Sequence, residues 1–281
     1  MKIVKTVAEV RAQVKEWRDE GLSVGLVPTM GYLHEGHGSL VTASAKENNR
    51  TVVSVFVNPT QFAPNEDLAN YPRDLEKDSA YCEELGADLI FAPEVEEMYH
   101  DGNVTFINMT TLTEELCGLS RPIHFKGVCT VVGKLFNIVR PDRAYFGKKD
   151  AQQLAIIKRM NEDLNFDVEV IGCPIVREED GLAKSSRNVY LTPEERKAAV
   201  VLSRSVRLGE AMVKNGETDA EKVLAAMKAE IETEPLAEID YLKAVDGLTM
   251  QQVKELKAPA LIAMAVRFGK ARLLDNFFIE E

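Results

Sequence analysis

Two histidines three residues apart, His34 and His37, are the side chains in this sequence best suited to act on a phosphate group. They lie in segment 28–41, where Gly31 and Gly36 separate a short apolar run from a helical pattern expected to begin near His37. The start of such a helix offers backbone N–H groups and the positive end of a dipole. Imidazoles beside it donate hydrogen bonds to phosphate oxygens. An ordinary surface loop also accommodates two histidines, but the glycine-containing turn between strand and helix favours a phosphate site.

Asn58 and Gln61 form a second polar group, directly after the β-branched run 51–57. That run is typical of a buried parallel strand, and open α/β sheets bind ligands at the carboxyl ends of their strands. Both amides donate and accept hydrogen bonds, which suits a substrate that carries hydroxyl and carboxylate groups. A loop held together by its own amide hydrogen bonds explains the same residues equally well.

Lys148 and Lys149 bring local positive charge to a chain that is acidic overall. They follow an aromatic run that stops at Gly147, and Asp150 after them suits the N-cap of the next helix. A capped helix with solvated lysines explains Lys148 well, but it leaves the aromatic–Gly–Lys–Lys–Asp order unexplained.

A second cationic segment places Ser185 and Ser186 between Lys184 and Arg187. Arginine can bind two oxygens and always carries its charge, while lysine supplies a mobile point charge. The segment is therefore a compact set of hydrogen-bond donors for phosphate. Surface loops often have the same composition, and four residues alone do not decide between the two interpretations.

The elements that position these residues follow an α/β pattern. Apolar runs typical of parallel strands alternate with helical patterns up to about residue 175, and amphipathic helices followed by strand-like runs then predict a smaller α+β domain. The predicted domains are 1–175 and 176–281. Strands are predicted at 22–27, 51–57, 88–93, 104–107, 143–147, 168–174, 239–245, 260–266 and 272–276, and helices at 6–21, 75–85, 192–214 and 219–232.

Composition limits the classes of partner. The formal net charge of −11 disfavours nonspecific attraction to nucleic acid or to an anionic membrane. The N-terminal segment has no long apolar run, and no run approaches the length of a membrane span, so a cytoplasmic protein without a signal peptide is expected. The four cysteines are scattered without a Cys-x-x-Cys pair, which signals neither a disulfide framework nor a zinc site.

Four motifs, in order, resemble the pantoate–β-alanine ligase family of the His-x-Gly-His nucleotidyltransferase superfamily. Together they span roughly residues 25 to 190, and four separated matches in the right order argue against coincidence. Two positions differ from the residues that are usual in the family's motifs: Lys148 occupies a position where glutamine is frequent, and Lys184 occupies a position where an apolar residue is frequent. The matching segments are 28–37, 56–62 with 65–67 and 71–74, 146–153, and 180–188.

The resemblance implies a Rossmann-like nucleotide-binding domain, built on a parallel sheet, and a small lid domain that carries the Lys-Ser-Ser-Arg loop. It implies an ATP-dependent condensation of (R)-pantoate with β-alanine through a pantoyl-adenylate, with release of AMP and pyrophosphate. It also implies Mg²⁺ on the triphosphate, with Asp150 and Asp78 as candidate outer partners, and a homodimer.

Site roles follow from the same resemblance. His34 and His37 would contact the reacting phosphate, with His37 the proton donor, and Lys149 and Arg187 complete the catalytic set. Pantoate would be bound by Gln61, Gln153 and Asn58, with Gln61 also contacting β-alanine. The implied ATP-binding residues are Met30, Gly31, Tyr32, Leu33, His34, Glu35, Gly36, His37, Gly147, Lys148, Lys149, Asp150, Val176, Lys184, Ser185, Ser186 and Arg187.

Two alternative functions share part of this pattern. A nucleotidylyltransferase of the same superfamily shares the histidine loop but needs no site for an amine, so segment 58–73 argues against it. A non-catalytic nucleotide sensor would not require two glutamine-bearing pockets beside the phosphate loop. A tRNA synthetase is disfavoured by the acidic balance and by the lack of an obvious RNA-binding extension.

Overall fold

A computed structural model describes residues 1–64 and 66–280. Asn65, which belongs to one of the matching segments, lies outside the described residues. The described chain forms two compact units, and the second contains the chain from Ile175 onward together with segments 110–120 and 149–155. The predicted domain boundary at residue 175 stays a prediction, because compactness does not show which segments fold independently. No helix among the described residues is long and apolar enough to cross a bilayer.

The first unit is built on a parallel sheet of six strands within the described residues, in the order β1-β4-β3-β2-β5-β6. The order reverses between β2 and β5, and ligands bind at such a switch point in open α/β sheets. The carboxyl end of β2 leads into the histidine loop. The strands are β1 (Lys2–Val4), β2 (Val24–Thr29), β3 (Arg50–Val55), β4 (Leu89–Phe91), β5 (Arg143–Gly147) and β6 (Glu169–Cys173).

Helices α1 to α7 connect these strands, and the start of α1 follows a local sequence signal. Thr6 caps α1 in a reciprocal capping box with Glu9, as a Thr-x-x-Glu sequence predicts. Helix α6 is buried on most of its circumference, in agreement with its dense apolar sequence. The bounds are α1 (Val7–Asp19), α2 (Glu35–Glu47), α3 (Leu75–Glu84), α4 (Val95–Met98), α5 (Leu116–Ser120), α6 (His124–Val139) and α7 (Ala151–Asp163).

The second unit contains an antiparallel sheet in the order β7-β8-β9. One face of this sheet packs on three helices through a cluster that includes Met264, Leu273 and Phe277. The predicted α/β fold with a smaller α+β part is thereby confirmed. The bounds are α8 (Pro193–Ala198), α9 (Val201–Lys214), α10 (Ala220–Ile231), β7 (Glu238–Asp246), β8 (Ala260–Phe268) and β9 (Ala271–Ile279).

Two expectations about elements were wrong, and one strand was missed. Segment 104–107 is not a strand, although its composition is strand-like; the amide of Ile107 donates to Thr130 Oγ1 at 2.9 Å instead of to a neighbouring strand. The predicted helix 192–214 is two helices, because the Val200 amide donates to the Lys197 carbonyl, three residues back, at 3.4 Å, while Ala199 and Val200 both keep right-handed backbone angles. Strand β1 is only three residues long, too short for its pattern to stand out.

Candidate active site

The histidine loop is ordered by its own two imidazoles. His34 is the N-cap of α2, and its Nδ1 accepts the amide proton of Gly36 at 3.0 Å. The His34 amide in turn donates to His37 Nδ1 at 3.4 Å, and the two ring centroids lie 4.2 Å apart. The helix therefore begins at Glu35, two residues before the expected start, because a histidine does the capping that serine or aspartate usually does.

These contacts determine which ring nitrogen carries the proton. A backbone N–H donates to each Nδ1, so Nδ1 must be an acceptor, and the proton of each neutral ring is on Nε2. Both rings are half-buried at the N-terminus of α2, where the helix dipole favours an anion. The loop can thus present two N–H donors to phosphate oxygens.

Asp78 on α3 fixes the backbone of the histidine loop through hydrogen bonds. Its carboxylate oxygens accept the amide protons of Tyr32 at 2.8 Å and Leu33 at 2.7 Å, and the residue is 2% exposed. Burial raises the pKa of the Asp78 carboxyl, while the two amides act in the opposite direction. Gly31 has φ +85°, and a Cβ there would lie 3.0 Å from Asp78 Oδ2. Only glycine fits that approach without strain.

Asn58 and Gln61 lie in the 3₁₀ turn that follows β3, and both are buried. The Asn58 amide group donates to Gln61 Oε1 and to the carbonyl of Gly127, each at 3.1 Å. Asn58 Oδ1 accepts from Thr60 Oγ1 and from Tyr99 OH, both at 2.9 Å. Burial raises the pKa of Tyr99, which keeps its hydroxyl protonated as a donor. These are the contacts of a residue that orients Gln61.

Gln61 itself reaches the histidine loop, because its Nε2 lies 3.1 Å from Met30 Sδ. The first unit therefore brings together the predicted pantoate-binding glutamine and the first residue of the predicted ATP loop. Helix α6 approaches this turn so closely that a Cβ on Gly127 would lie 2.5 Å from Gln61 Cα. A larger residue at 127 would displace Gln61.

Arg121 and His124 support the same turn and are not on the predicted site list. His124 Nδ1 is 3.1 Å from the carbonyl oxygen of Gln61. Arg121 donates to both carboxylate oxygens of Glu66 at 2.7 Å and to the carbonyl of Gln61 at 3.4 Å. The sequence offered a weak signal for them, an Arg-Pro-x-His order at the entrance of α6, which also suits a purely structural helix start.

Lys149 is the first of the predicted catalytic residues that lie in the second unit. It lies in the 3₁₀ turn Lys148–Asp150, directly after β5, and its Nζ is 3.4 Å from Asp150 Oδ2. Asn276 on β9 donates from Nδ2 to the Lys149 carbonyl at 2.8 Å. The backbone of this cationic residue is therefore fixed by a side chain that lies 127 positions away in sequence.

The second cationic segment forms a short hairpin followed by a 3₁₀ turn. The Lys184 amide donates to the Val176 carbonyl at 2.9 Å, which closes the hairpin. Ser185 caps the turn, since its Oγ accepts the Arg187 amide proton at 3.2 Å. Lys184 Nζ forms an ion pair with Glu178 at 3.0 Å, so part of its charge is neutralised inside the protein. Arg187 and Ser186 are half-buried in the same turn.

Comparison with known proteins decides the family. A sequence model described as Pantoate-beta-alanine ligase matches residues 2–278. The chain belongs to the pantoate-beta-alanine ligase family. A relative named pantothenate synthetase from Ruminiclostridium cellulolyticum is 66% identical over 277 residues, covering 99% of this chain and 98% of the relative. Another, from Enterococcus faecalis, is 60% identical over 280 residues, covering 100% and 99%.

Solved structures of the pantoate-beta-alanine ligase family share the fold. Pantothenate synthetase from Thermus thermophilus aligns with a TM-score of 0.95 at 48% identity, covering 100% of both chains. The pantoate-beta-alanine ligase from Francisella tularensis, described as complexed with beta-gamma ATP and beta-alanine, aligns with a TM-score of 0.81 at 33% identity, covering 99% and 97%.

Two adjacent glutamines on α7 differ sharply in their surroundings. Gln152 is buried, and its side chain contacts the carbonyls of Leu112 and Glu115 at 2.8 Å and the amide of Cys117 at 2.9 Å. Gln153 is half-buried, and none of the described residues forms a hydrogen bond with its side chain. Of the two, Gln153 is the one whose amide can turn to a ligand in this member of the ligase family.

The residues fit a magnesium ion that is bound mainly by the triphosphate. Within the described part of the chain, no three His, Cys, Asp or Glu side chains cluster where they could share a metal ion. Asp78 uses both oxygens on loop amides, whereas Asp150 is about half exposed beside Lys149. Magnesium keeps several waters and binds through few carboxylates beside substrate phosphates, so Asp150 is the side chain that would approach it.

Proposed function

We propose that this protein condenses (R)-pantoate with β-alanine at the expense of ATP, through a pantoyl-adenylate. The observation that carries the proposal is the contact between Gln61 and Met30. It joins a buried amide suited to a hydroxy acid to a loop whose two imidazoles present Nε2–H donors. Family membership and the relative complexed with beta-gamma ATP and beta-alanine support the choice of ATP and β-alanine.

The first step is adenylation of the pantoate carboxylate. A carboxylate oxygen attacks the α-phosphorus of ATP, a new O–P bond forms, and the bond to the departing pyrophosphate breaks. Catalysis of such a step is mostly positioning and charge stabilisation. His34 and His37 donate to oxygens of the reacting phosphate through Nε2, and His37 is the proton donor of the pair. Asp78 fixes the loop that carries them.

Pyrophosphate binding falls to the cations of the second unit. Lys149, Ser185, Ser186 and Arg187 hold the β- and γ-phosphates as they depart. Asp150 is the side chain that would approach a magnesium ion on the triphosphate, which would neutralise phosphate charge when bound. Gln61 and Gln153 orient pantoate, and Asn58 acts on pantoate through Gln61, because its own amide contacts protein groups.

The second step is attack of the β-alanine amine on the acyl carbon. A C–N bond forms, the C–O bond to AMP breaks, and the amine loses its proton, so AMP departs with one of the original carboxylate oxygens. Gln61 is the residue assigned to both substrates. We further propose that the protein is a cytoplasmic homodimer that binds small molecules rather than nucleic acid or membrane.

Pyrophosphate exchange tests the order of steps. Protein given ATP, Mg²⁺ and pantoate without β-alanine should incorporate labelled pyrophosphate into ATP. Oxygen-18 in the pantoate carboxylate should appear in AMP once β-alanine is added. ADP and phosphate as products would mean an acyl-phosphate route and would reject the proposal. Exchange without any acid would instead favour a nucleotidylyltransferase, and binding of ATP with no turnover would favour a sensor.

A further inference from the structure

Two neighbouring residues on β9 contact the supports of the two cationic segments of the second unit: Asn276 contacts the backbone of Lys149, and Asp275 contacts Arg177 at the base of the hairpin that leads to Arg187. Successive side chains on a strand point to opposite faces of the sheet. Asp275 lies between Leu273 and Phe277, on the face that packs on the helices. Asn276 lies on the other face, as does Arg272, whose guanidinium donates to Ser120 Oγ at 3.1 Å. The pair therefore reaches segments on both sides of one sheet.

Asp275 fixes the base of the hairpin that leads to Arg187. Its carboxylate accepts two hydrogen bonds from Arg177, at 2.7 and 2.9 Å, and its side chain is fully buried. Arg177 also donates to the carbonyl of Gly181 at 3.1 Å, inside the hairpin turn. Because the paired guanidinium is planar and bidentate, it fixes the direction of the hairpin as well as its distance from the sheet.

Asn276 fixes the other segment. It is 3% exposed, and its Nδ2 donates to the Lys149 carbonyl at 2.8 Å. One strand thus sets the positions of Lys149 and of the 184–187 turn relative to each other. A buried charge pair is weak evidence for a gain in stability, because desolvation of both ions costs free energy. Precise placement is the better explanation of why an aspartate occupies a position between two core residues.

We propose that Asp275 and Asn276 are positioning residues for adenylation, which hold the two pyrophosphate-binding segments in register. The inference rests on the proposed function, since it takes Lys149 and Arg187 as pyrophosphate ligands. It predicts a selective defect: the step that releases pyrophosphate should suffer, whereas the attack of β-alanine on preformed pantoyl-adenylate should not.

The test compares the two half-reactions in Asp275→Asn, Asn276→Leu and Arg177→Lys. Pantoate-dependent pyrophosphate exchange should fall about ten- to a hundredfold, the size of effect that a misplacement of about 1 Å produces. The KM for ATP should rise while the KM for pantoate changes little. Conversion of synthetic pantoyl-adenylate and β-alanine should keep the wild-type rate. Arg177→Lys keeps the charge and loses the bidentate geometry, so it covers the case in which Asp275→Asn does not fold.

Asp240→Asn is the matched control. It removes an ion pair of similar length from the same sheet, Asp240 with Arg272 at 2.7 Å, and touches neither anchor. It should lower the melting temperature without changing the ratio of the half-reactions. The inference is overturned if the control shows the same selective defect, or if the Asp275 and Asn276 variants slow both half-reactions equally or neither. Wild-type protein without pantoate-dependent exchange would instead reject the proposed function.

Discussion

At the scale of single residues, local hydrogen bonds prepare His34 and His37 for phosphate. Both Nδ1 atoms accept backbone protons, so each neutral ring holds its proton on Nε2 before a substrate arrives. This arrangement assigns separate roles to the two nitrogens of His37: Nδ1 organises the helix start, and Nε2 is the donor to substrate. Asparagine and glutamine can imitate one nitrogen each, which allows the two roles to be tested apart.

His37→Asn should keep an acceptor near the Nδ1 position and lose the Nε2 donor. We expect turnover to fall about 10²- to 10³-fold, as when one donor to a developing negative charge is removed. His37→Gln places an amide N–H near the Nε2 position and should recover part of the activity. Saturating steady-state kinetics and thermal unfolding of both variants would check this. Near-normal turnover in His37→Asn would remove Nε2 from the mechanism.

At the scale of elements, α7 divides structural and functional roles between neighbouring residues. Gln152→Ala should leave the buried Leu112 carbonyl and the buried Cys117 amide without partners and lower the free energy of unfolding by about 2–4 kcal/mol. Gln153→Ala should leave stability unchanged and raise the KM for pantoate about tenfold or more, the equivalent of one lost hydrogen bond to a carboxylate. Denaturant titration and kinetics on both variants would show a reversed pattern if Gln152 were the ligand.

The elements also show how far sequence reasoning reaches. The histidine loop was predictable because its glycines, its histidines and the flanking strand and helix are contiguous. The sequence suggests Asp78 only as a metal partner. The backbone amides that donate to its carboxylate are 45 and 46 positions away, and a sequence pattern does not show which side chain a backbone amide contacts. Segment 104–107 shows the opposite failure. Its side chains suit a strand, but pairing depends on a neighbour that the pattern does not describe.

At the scale of the whole molecule, the site depends on contacts between segments that are distant in sequence. Arg177 and Asp275 are 98 positions apart, and Arg121 and Glu66 are 55 apart. A sequence pattern reports neither pairing, so the ligand-binding motifs could be predicted and their supports could not. The Arg121–Glu66 pair also makes the stability of the protein depend on pH.

Lowering the pH should weaken the Arg121–Glu66 pair and with it the turn that carries Gln61. Burial alone would raise the pKa of the Glu66 carboxyl, but the hydrogen bond and the charge of Arg121, with smaller contributions from the Ala63 amide and His124, hold the pKa below its ordinary value of 4.5. An acid whose pKa is lowered by folding stabilises the folded state above its unfolded pKa. That contribution is lost as the pH falls through the folded pKa.

Glu66→Gln should therefore lower the free energy of unfolding by about 2 kcal/mol near neutral pH, the range for hydrogen bonds to a charged group. The difference from wild type should be constant above about pH 5.5 and shrink below the ordinary glutamate pKa. Arg204→Gln, which breaks the more exposed pair with Glu230, is the control and should cost at most about 1 kcal/mol. Denaturant titrations of the three proteins between about pH 4 and pH 8 would measure these differences across the window in which a glutamate titrates. A Glu66→Gln difference in the free energy of unfolding that grew as the pH fell would show that burial, rather than Arg121, determines the direction of the shift in the pKa of the Glu66 carboxyl.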